Sequence, residues 1–247
     1  MKRTIFLFFV SGCFLFSEFA FPASSALEED VSRGMVRIAA GAFTSGSEKF
    51  NDEKPEKDIY LDSFLIDKFE VTQKEFKNIM KKNPSEFRGD NLPVDRVNWY
   101  EARDYCGAID KRLPTEAEWE KAARSGSITQ YYWGSEPDDS HAWHWDNSGR
   151  KTHPVGEKKT NKFGLYDVAG NVWEWTADWY DQNYYHHRSL NNPKSPFSGK
   201  HRVLRGGSFM DKTEGLRVTR RNWDLPSARF KNFGFRCAKS QNTILMD

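Results

Sequence analysis

Residues 125–171 are rich in Gly, Asn, Asp, Trp and Tyr and show no helical period, and no other stretch limits the fold as strongly. Tyr131, Tyr132, Trp133, Trp143 and Trp145 lie in it, and such rings are costly to leave in water. A floppy linker is therefore excluded. The stretch has to be irregular structure pinned by aromatics or by an ion, which predicts a domain with limited regular secondary structure. Aromatic residues make up 15% of the chain, a share that also excludes global disorder.

The flanks are more regular. Residues 35–47 and 57–71 read as strands, the second on the spacing of Ile59, Leu61, Phe64 and Ile66. A charged loop, Ser47 to Pro55, separates them. Thr72-Gln73-Lys74-Glu75 is a capping box opening a helix, with Phe76, Ile79 and Met80 on one face. Asn98 opens a second helix with Ala102, Tyr105, Cys106 and Ile109 inward, and Thr115 a third carrying Trp119, Ala122 and Ala123. From Val172 to Tyr180, Trp173, Trp175 and Ala177 alternate with Glu174, Thr176 and Asp178, as in a strand. Residues 181–200 read as a polar loop, and closing strands are expected at 201–209, 216–223 and 233–239. No repeat or composition shift marks a boundary. One α+β domain over 27–247 follows.

Residues 1–26 have the parts of a secretory signal: Lys2 and Arg3, an apolar run, then Ser24-Ser25-Ala26 as an exit. Val10-Ser11-Gly12-Cys13 offers a second reading, a lipobox with a lipid on Cys13. Either predicts export to a periplasmic or extracellular space, with no membrane span because Glu18 and Pro22 interrupt the run. Lys plus Arg is 37 against 35 for Asp plus Glu, a balance that argues against nucleic acid as a partner. Beyond the signal only Cys106 and Cys237 remain, and one disulfide is the economical expectation, with two buried thiols as the alternative.

Specific strings carry the argument further. Leu92-Pro93-Val94-Asp95-Arg96-Val97-Asn98-Trp99 runs toward Arg112-Leu113-Pro114-Thr115-Glu116-Ala117-Glu118-Trp119-Glu120. Then come Gly164-Leu165-Tyr166-Asp167-Val168-Ala169-Gly170-Asn171-Val172-Trp173-Glu174-Trp175, Arg205-Gly206-Gly207-Ser208-Phe209 and Gly234-Phe235-Arg236-Cys237-Ala238. In this order they resemble the formylglycine-generating enzyme family, also called sulfatase-modifying factors, from Met35 to the end of the chain. The resemblance implies a single compact domain, a variant of the C-type lectin fold. It also implies a disulfide between Cys106 and Cys237.

Characterised members oxidise a sulfatase cysteine to formylglycine with oxygen and copper(I) held by two thiolates, sulfur being the donor that soft Cu(I) selects. Here the matching positions are Asp211 and Leu216, and no cysteine lies between Cys106 and Cys237. Copper is therefore not expected. A second bridge of some members would fall at Ala123 and near Arg221 and is absent. The family's calcium site does transfer: Asp167 and Glu174 would supply carboxylates, Gly170 and Val172 carbonyls, the oxygen donors a hard cation takes. A second family calcium site near His141–Asn147 has no clear match.

Ser208 matches a residue of the family's substrate cleft, with Trp173 as core or cleft wall; no Ser-His-Asp logic surrounds Ser208. His141, His144, His186 and His187 read as surface or packing residues. Arg217, Arg220 and Arg221 read as strand residues paired with nearby acids. The expected function is an exported, non-copper member that binds a peptide, protein or small ligand as an accessory factor. An oxidoreductase using different chemistry around Asp211 is the alternative, and a true formylglycine generator a third.

Overall fold

The computed structural model describes Met1 and residues 34–241. The signal segment and Cys13 lie outside the described residues. Three capping boxes start three helices: Thr72 before α1 (Gln73–Met80), Asn98 before α2 (Trp99–Ala108) and Thr115 before α3 (Glu116–Arg124). In each, the cap side chain accepts from the N3 amide while the N3 glutamate accepts from the cap amide, satisfying donors the helix cannot. Phe76, Tyr105, Cys106, Trp119, Ala122 and Ala123 are buried as expected. Ile79, one residue before α1 ends at Met80, is not, at 39% exposure.

Each of the two expected strands, 35–47 and 57–71, is two strands. β1 (Met35–Ile38) pairs with β4 (Phe64–Asp67), which pairs in turn with β9 (Ala238–Ser240), all antiparallel. β2 (Gly41–Ser45) forms a separate hairpin with β3 (Lys57–Leu61). The break in the first falls at Ala39 and Ala40, beside which Lys121 Nζ donates to the carbonyls of Ala39 and Gly41 at 2.9 and 2.8 Å.

A third sheet has the order β7-β6-β5-β8, from β5 (Trp173–Trp179), β6 (Arg202–Arg205), β7 (Arg221–Asp224) and β8 (Phe233–Gly234). The expected strand at 216–223 is shorter than read. Thr213–Leu216 is a 3-10 turn, and Arg220 N closes another turn on the Arg217 carbonyl at 2.9 Å. The polar loop after β5 contains a four-residue helix, α4 (Tyr184–His187).

Residues 125–171 form no named helix or strand, and aromatics hold them as expected. Trp133 stacks between Tyr131 and His141 with centroids 4.8 and 4.9 Å away, and Tyr132 Oη donates to the carbonyls of His141 and Lys159. Asn161 completes the lashing: its Nδ2 donates to the Ala122 carbonyl at 2.7 Å and its Oδ1 accepts from Phe163 and Leu165 N. Two apolar clusters make the core, one around Trp119, Tyr131, Leu165 and Val218, the other around Phe76, Tyr105, Trp175 and Phe235. Cys106 and Cys237 sit in the second and form the disulfide, with Cα atoms 5.8 Å apart.

Candidate functional site

Gly206 and Gly207 bring the chain out of β6 with φ of 99° and 75°, a region open to glycine. A Cβ on Gly207 would stand 2.7 Å from the Gly215 carbonyl oxygen, so only glycine lets the two arms of this loop meet. The turn delivers Ser208 to a fully buried position. Its Oγ donates to Asp211 Oδ2 at 2.5 Å and accepts from Asn232 Nδ2 at 3.0 Å and from Met210 N at 3.2 Å.

Asp211 is thereby fixed at the base of the loop. Burial pushes its carboxyl pKa up, and hydrogen bonds from Ser208 and Trp173 pull it down, with burial the larger. Trp173 is buried on β5 and forms the wall beside this acid. Leu216 has a different task. It is 1% exposed and packs with Trp119, Val168 and Val218 in the first core cluster. The site therefore holds one carboxylate, oriented by a hydroxyl and an indole N–H that both donate to it, against a hydrocarbon core.

A second group of acids gathers at the segment Asp167–Glu174. Asp167, with φ 55°, accepts from Gly156 N at 2.7 Å. Glu70 accepts from Asn171 Nδ2 at 2.6 Å and Val172 N at 3.1 Å. Glu174 is gripped by Arg236 through Nε and Nη2, both at 2.7 Å, and accepts from Trp119 Nε1 at 2.8 Å. Its Oε2 is filled by two donors, and Oε1 keeps one lone pair.

All three acids are buried against one guanidinium. Burial first, then repulsion from Asp167 and Glu174, raises the Glu70 carboxyl well above the usual range, and burial raises Asp167 to about 6. The loop between them coils through Gly170 at φ 85° and Asn171 at φ 53°. Among the described residues no three His, Cys, Asp or Glu side chains form a ready ligand set for a metal ion. Any cation here would draw on carbonyls as well, as the assignment to Gly170 and Val172 requires.

Of the residues singled out in the sequence, Asp167, Gly170, Val172 and Glu174 fall together, as do Ser208, Trp173 and Asp211. Glu70, Asn232 and Arg236 were not assigned a role. Arg236 stood inside a recognised string; Glu70 and Asn232 carried no local signal. The histidines pack or pair: His144 is 3% exposed with Nε2 2.8 Å from Asp139, and His141 lies 3.1 Å from Asp138. His187 lies 3.5 Å from Asp181. Arg217 and Arg221 bind Glu53 and Glu116, as expected of basic residues beside acids.

Residues 21–241 match the family described as the sulfatase-modifying factor enzyme 1-like domain. The chain is 37% identical over 83% of its length to the serine/threonine-protein kinase pkn1 of Chlamydia caviae, but spans only 38% of that protein. It is 32% identical to the chaperone protein LppX of Paenibacillus barcinonensis, covering 76% of this chain and 83% of the relative. It is 31% identical to the formylglycine-generating enzyme of Bos taurus, covering 83% and 74% of the two chains. Among solved structures, Treponema denticola variable protein 1 aligns with a TM-score of 0.78 and 30% identity, over 83% of this chain and 94% of that one. The single compact domain with few helices and several sheets, of the C-type lectin-like kind, is thus a fold it shares.

Proposed function

Because the chain belongs to the sulfatase-modifying factor family, typified by the formylglycine-generating enzymes, we propose that it is a member in which the cleft binds a ligand rather than copper. The observation that carries this reading is the Ser208–Asp211 pair. Where the family places a thiolate, a carboxylate accepts from Ser208 Oγ, and the second thiolate position is Leu216, a core residue. A carboxylate is a hard donor and leucine none, so the two-sulfur coordination that Cu(I) favours has no atoms to form from. The two described cysteines are joined to each other.

What this cleft offers a ligand is fixed polarity. Asp211 is held in one orientation by Ser208, which Asn232 in turn orients, so a peptide, protein or small molecule meets a preset acceptor. The relative named a chaperone, matched over most of its length, supports an accessory role. The segment 1–26 supports export, with cleavage after Ala26 or a lipid on Cys13. Among the described residues no helix is long and apolar enough to cross a membrane.

The acids gathered at Asp167–Glu174 are a calcium site in this reading. Asp167, the carbonyls of Gly170 and Val172, and the remaining lone pair of Glu174 would hold the ion, with Glu70 a further carboxylate. The support is electrostatic: three buried carboxylates face one arginine, and a divalent cation offsets the burial and, after it, the mutual repulsion that lift Glu70 and Asp167.

The test of the cleft reading is titration of the purified chain with Cu(I) under reducing buffer, followed by aerobic incubation with a Cys-x-Pro-x-Arg peptide and mass analysis. Neither tight copper binding nor formylglycine is expected. Turnover above a copper-only control would overturn the reading.

A further inference from the structure

Behind α3 the interior holds five arginines. Arg124, Arg188, Arg205, Arg217 and Arg221 are each 7% exposed or less. The buried glutamates joined to this network are Glu53, Glu116 and Glu120. A fourth acid, Asp178, accepts from Glu116 N, but burial and the charge of Glu116 raise it to about 7, leaving it partly neutral near neutrality. Glu214 reaches Arg217 Nε at 3.2 Å from a 54% exposed position, so the five buried arginines meet three buried glutamates and one solvent-screened one, still an excess of buried positive charge. Leaving buried charge uncompensated is expensive, and a counter-ion is the simplest remedy.

A cavity of about 130 Å³ opens onto this network, lined among others by Lys49, Arg124, Thr129, Gln130, Arg217 and Thr219. Arg124 is the telling member. At 4% exposure, its Nε donates to Glu120 at 2.9 Å and its Nη2 to the Gly46 carbonyl at 2.7 Å. Its Nη1 reaches only the Ser127 carbonyl, at 3.5 Å, a distance at which a hydrogen bond contributes little.

Beside it, Gln130 accepts from Lys49 Nζ at 3.2 Å through Oε1, which leaves its amide N–H donors for another partner. Arg217 is already matched by Glu53 through bonds of 2.7 and 2.8 Å and forms wall rather than clamp. Two acids stand at the mouth. Glu56 lines it from an exposed position, and Glu214, 54% exposed, pairs with Lys49 at 2.8 Å. That exposed pair is weak in water, so an anion competes with it readily.

We propose that this cavity binds a small oxyanion, with Arg124 Nη1, Lys49 Nζ and Gln130 Nε2 as donors. A guanidinium with a free N–H and a neighbouring ammonium suit phosphate, sulfate and carboxylate alike. The cavity's size limits the guest to the free ion or to one such group on a larger molecule, and the rim acids disfavour polyanions.

The test uses the full chain, melted and titrated calorimetrically in sodium phosphate, sulfate, acetate and chloride at one ionic strength. At least one oxyanion should give saturable binding and raise Tm over chloride by about 5 °C at ~100-fold excess over its dissociation constant. Which oxyanion saturates identifies the preferred group. Lys49→Gln and Gln130→Glu are both at the partly exposed cavity mouth; each should still fold with a cooperative melt in chloride and weaken the binding at least tenfold. Sulfate and phosphate also stabilise proteins by exclusion from their surfaces. An equal rise in parent and variants, or no saturable rise in any oxyanion, overturns the proposal.

Discussion

Arg236 and Glu174 face each other as a two-pronged pair, Nε to Oε2 and Nη2 to Oε1, both at 2.7 Å and both side chains fully buried. The arginine also donates to the carbonyls of Tyr166, Asp67 and Lys68, so the pair ties the strand carrying the Trp-Glu-Trp string to the irregular segment before it. Removing one partner strands the other. Arg236→Met is expected to cost about 3–5 kcal/mol in urea unfolding, whereas Arg236→Met with Glu174→Leu should cost less than the two single changes added. Strict additivity would show that the pair is not coupled.

Chelation tests the cation. If calcium binds Asp167 and its neighbours only in the folded chain, EDTA should lower the melting temperature of the parent and excess calcium should restore it. Asp167→Asn and Glu70→Gln should each blunt that response. A parent melt indifferent to chelator, together with no calcium in elemental analysis, would remove the ion from the site.

The Cys106–Cys237 bridge spans 131 residues of chain, a loop for which the entropy model gives roughly 4–5 kcal/mol. Cys106→Ala with Cys237→Ala should lose most of that in denaturant titration. Alkylation of the unreduced protein unfolded in urea, where buried thiols become accessible, should label neither position, and two labelled thiols would contradict the bridge.

Asp178 sets a pH dependence. Burial and the charges of Glu116 and Glu118 raise its pKa to about 7 in the fold against 3.8 without that environment. The folded state therefore holds the proton more tightly, so stability from this group is present below about pH 4 and is lost as pH rises through 7. Asp178→Asn keeps an oxygen for Glu116 N and carries no charge. The variant should gain on the parent between pH 4 and 8, measured as the difference in urea midpoint. A constant difference across that range would show that Asp178 does not titrate there.

The cleft predicts a graded rescue. Asp211→Cys alone should not bind Cu(I) tightly, because Leu216 offers no second sulfur. Adding Leu216→Cys supplies it, at a stability cost of about 2–4 kcal/mol for shrinking a core leucine. Copper titration followed by competition with a thiol chelator reads both. Tight binding by the single variant would mean that another residue completes the site.

Some of this was legible and some was not, for physical reasons. The three capping boxes could be read because each is settled within four residues: Thr72 with Glu75, Asn98 with Glu101, Thr115 with Glu118. The residues of the acidic knot other than Glu70, and those of the Ser208–Asp211 pair, could be singled out because they stand in or next to recognisable strings. The polar side of β5 could not. Alternation there marks a strand but not what its polar side meets, and Glu174, Thr176 and Asp178 are all buried. Their partners, Arg236, the Val203 carbonyl and Glu116 N, lie 27 or more positions away, and no local pattern announces such distant pairings. Glu70 went unnoticed for the same reason, its partners being Asn171 and Val172.

The irregular span 125–171 also bears on how such a chain can change over generations. A strand ladder must keep its register, since a slip of one residue inverts every side chain. This span is instead fastened at separate points: the Trp133 stack, Tyr132 Oη, Asn161, and Asp167 on Gly156. Between fasteners, insertions and substitutions need only preserve where the next anchor lands.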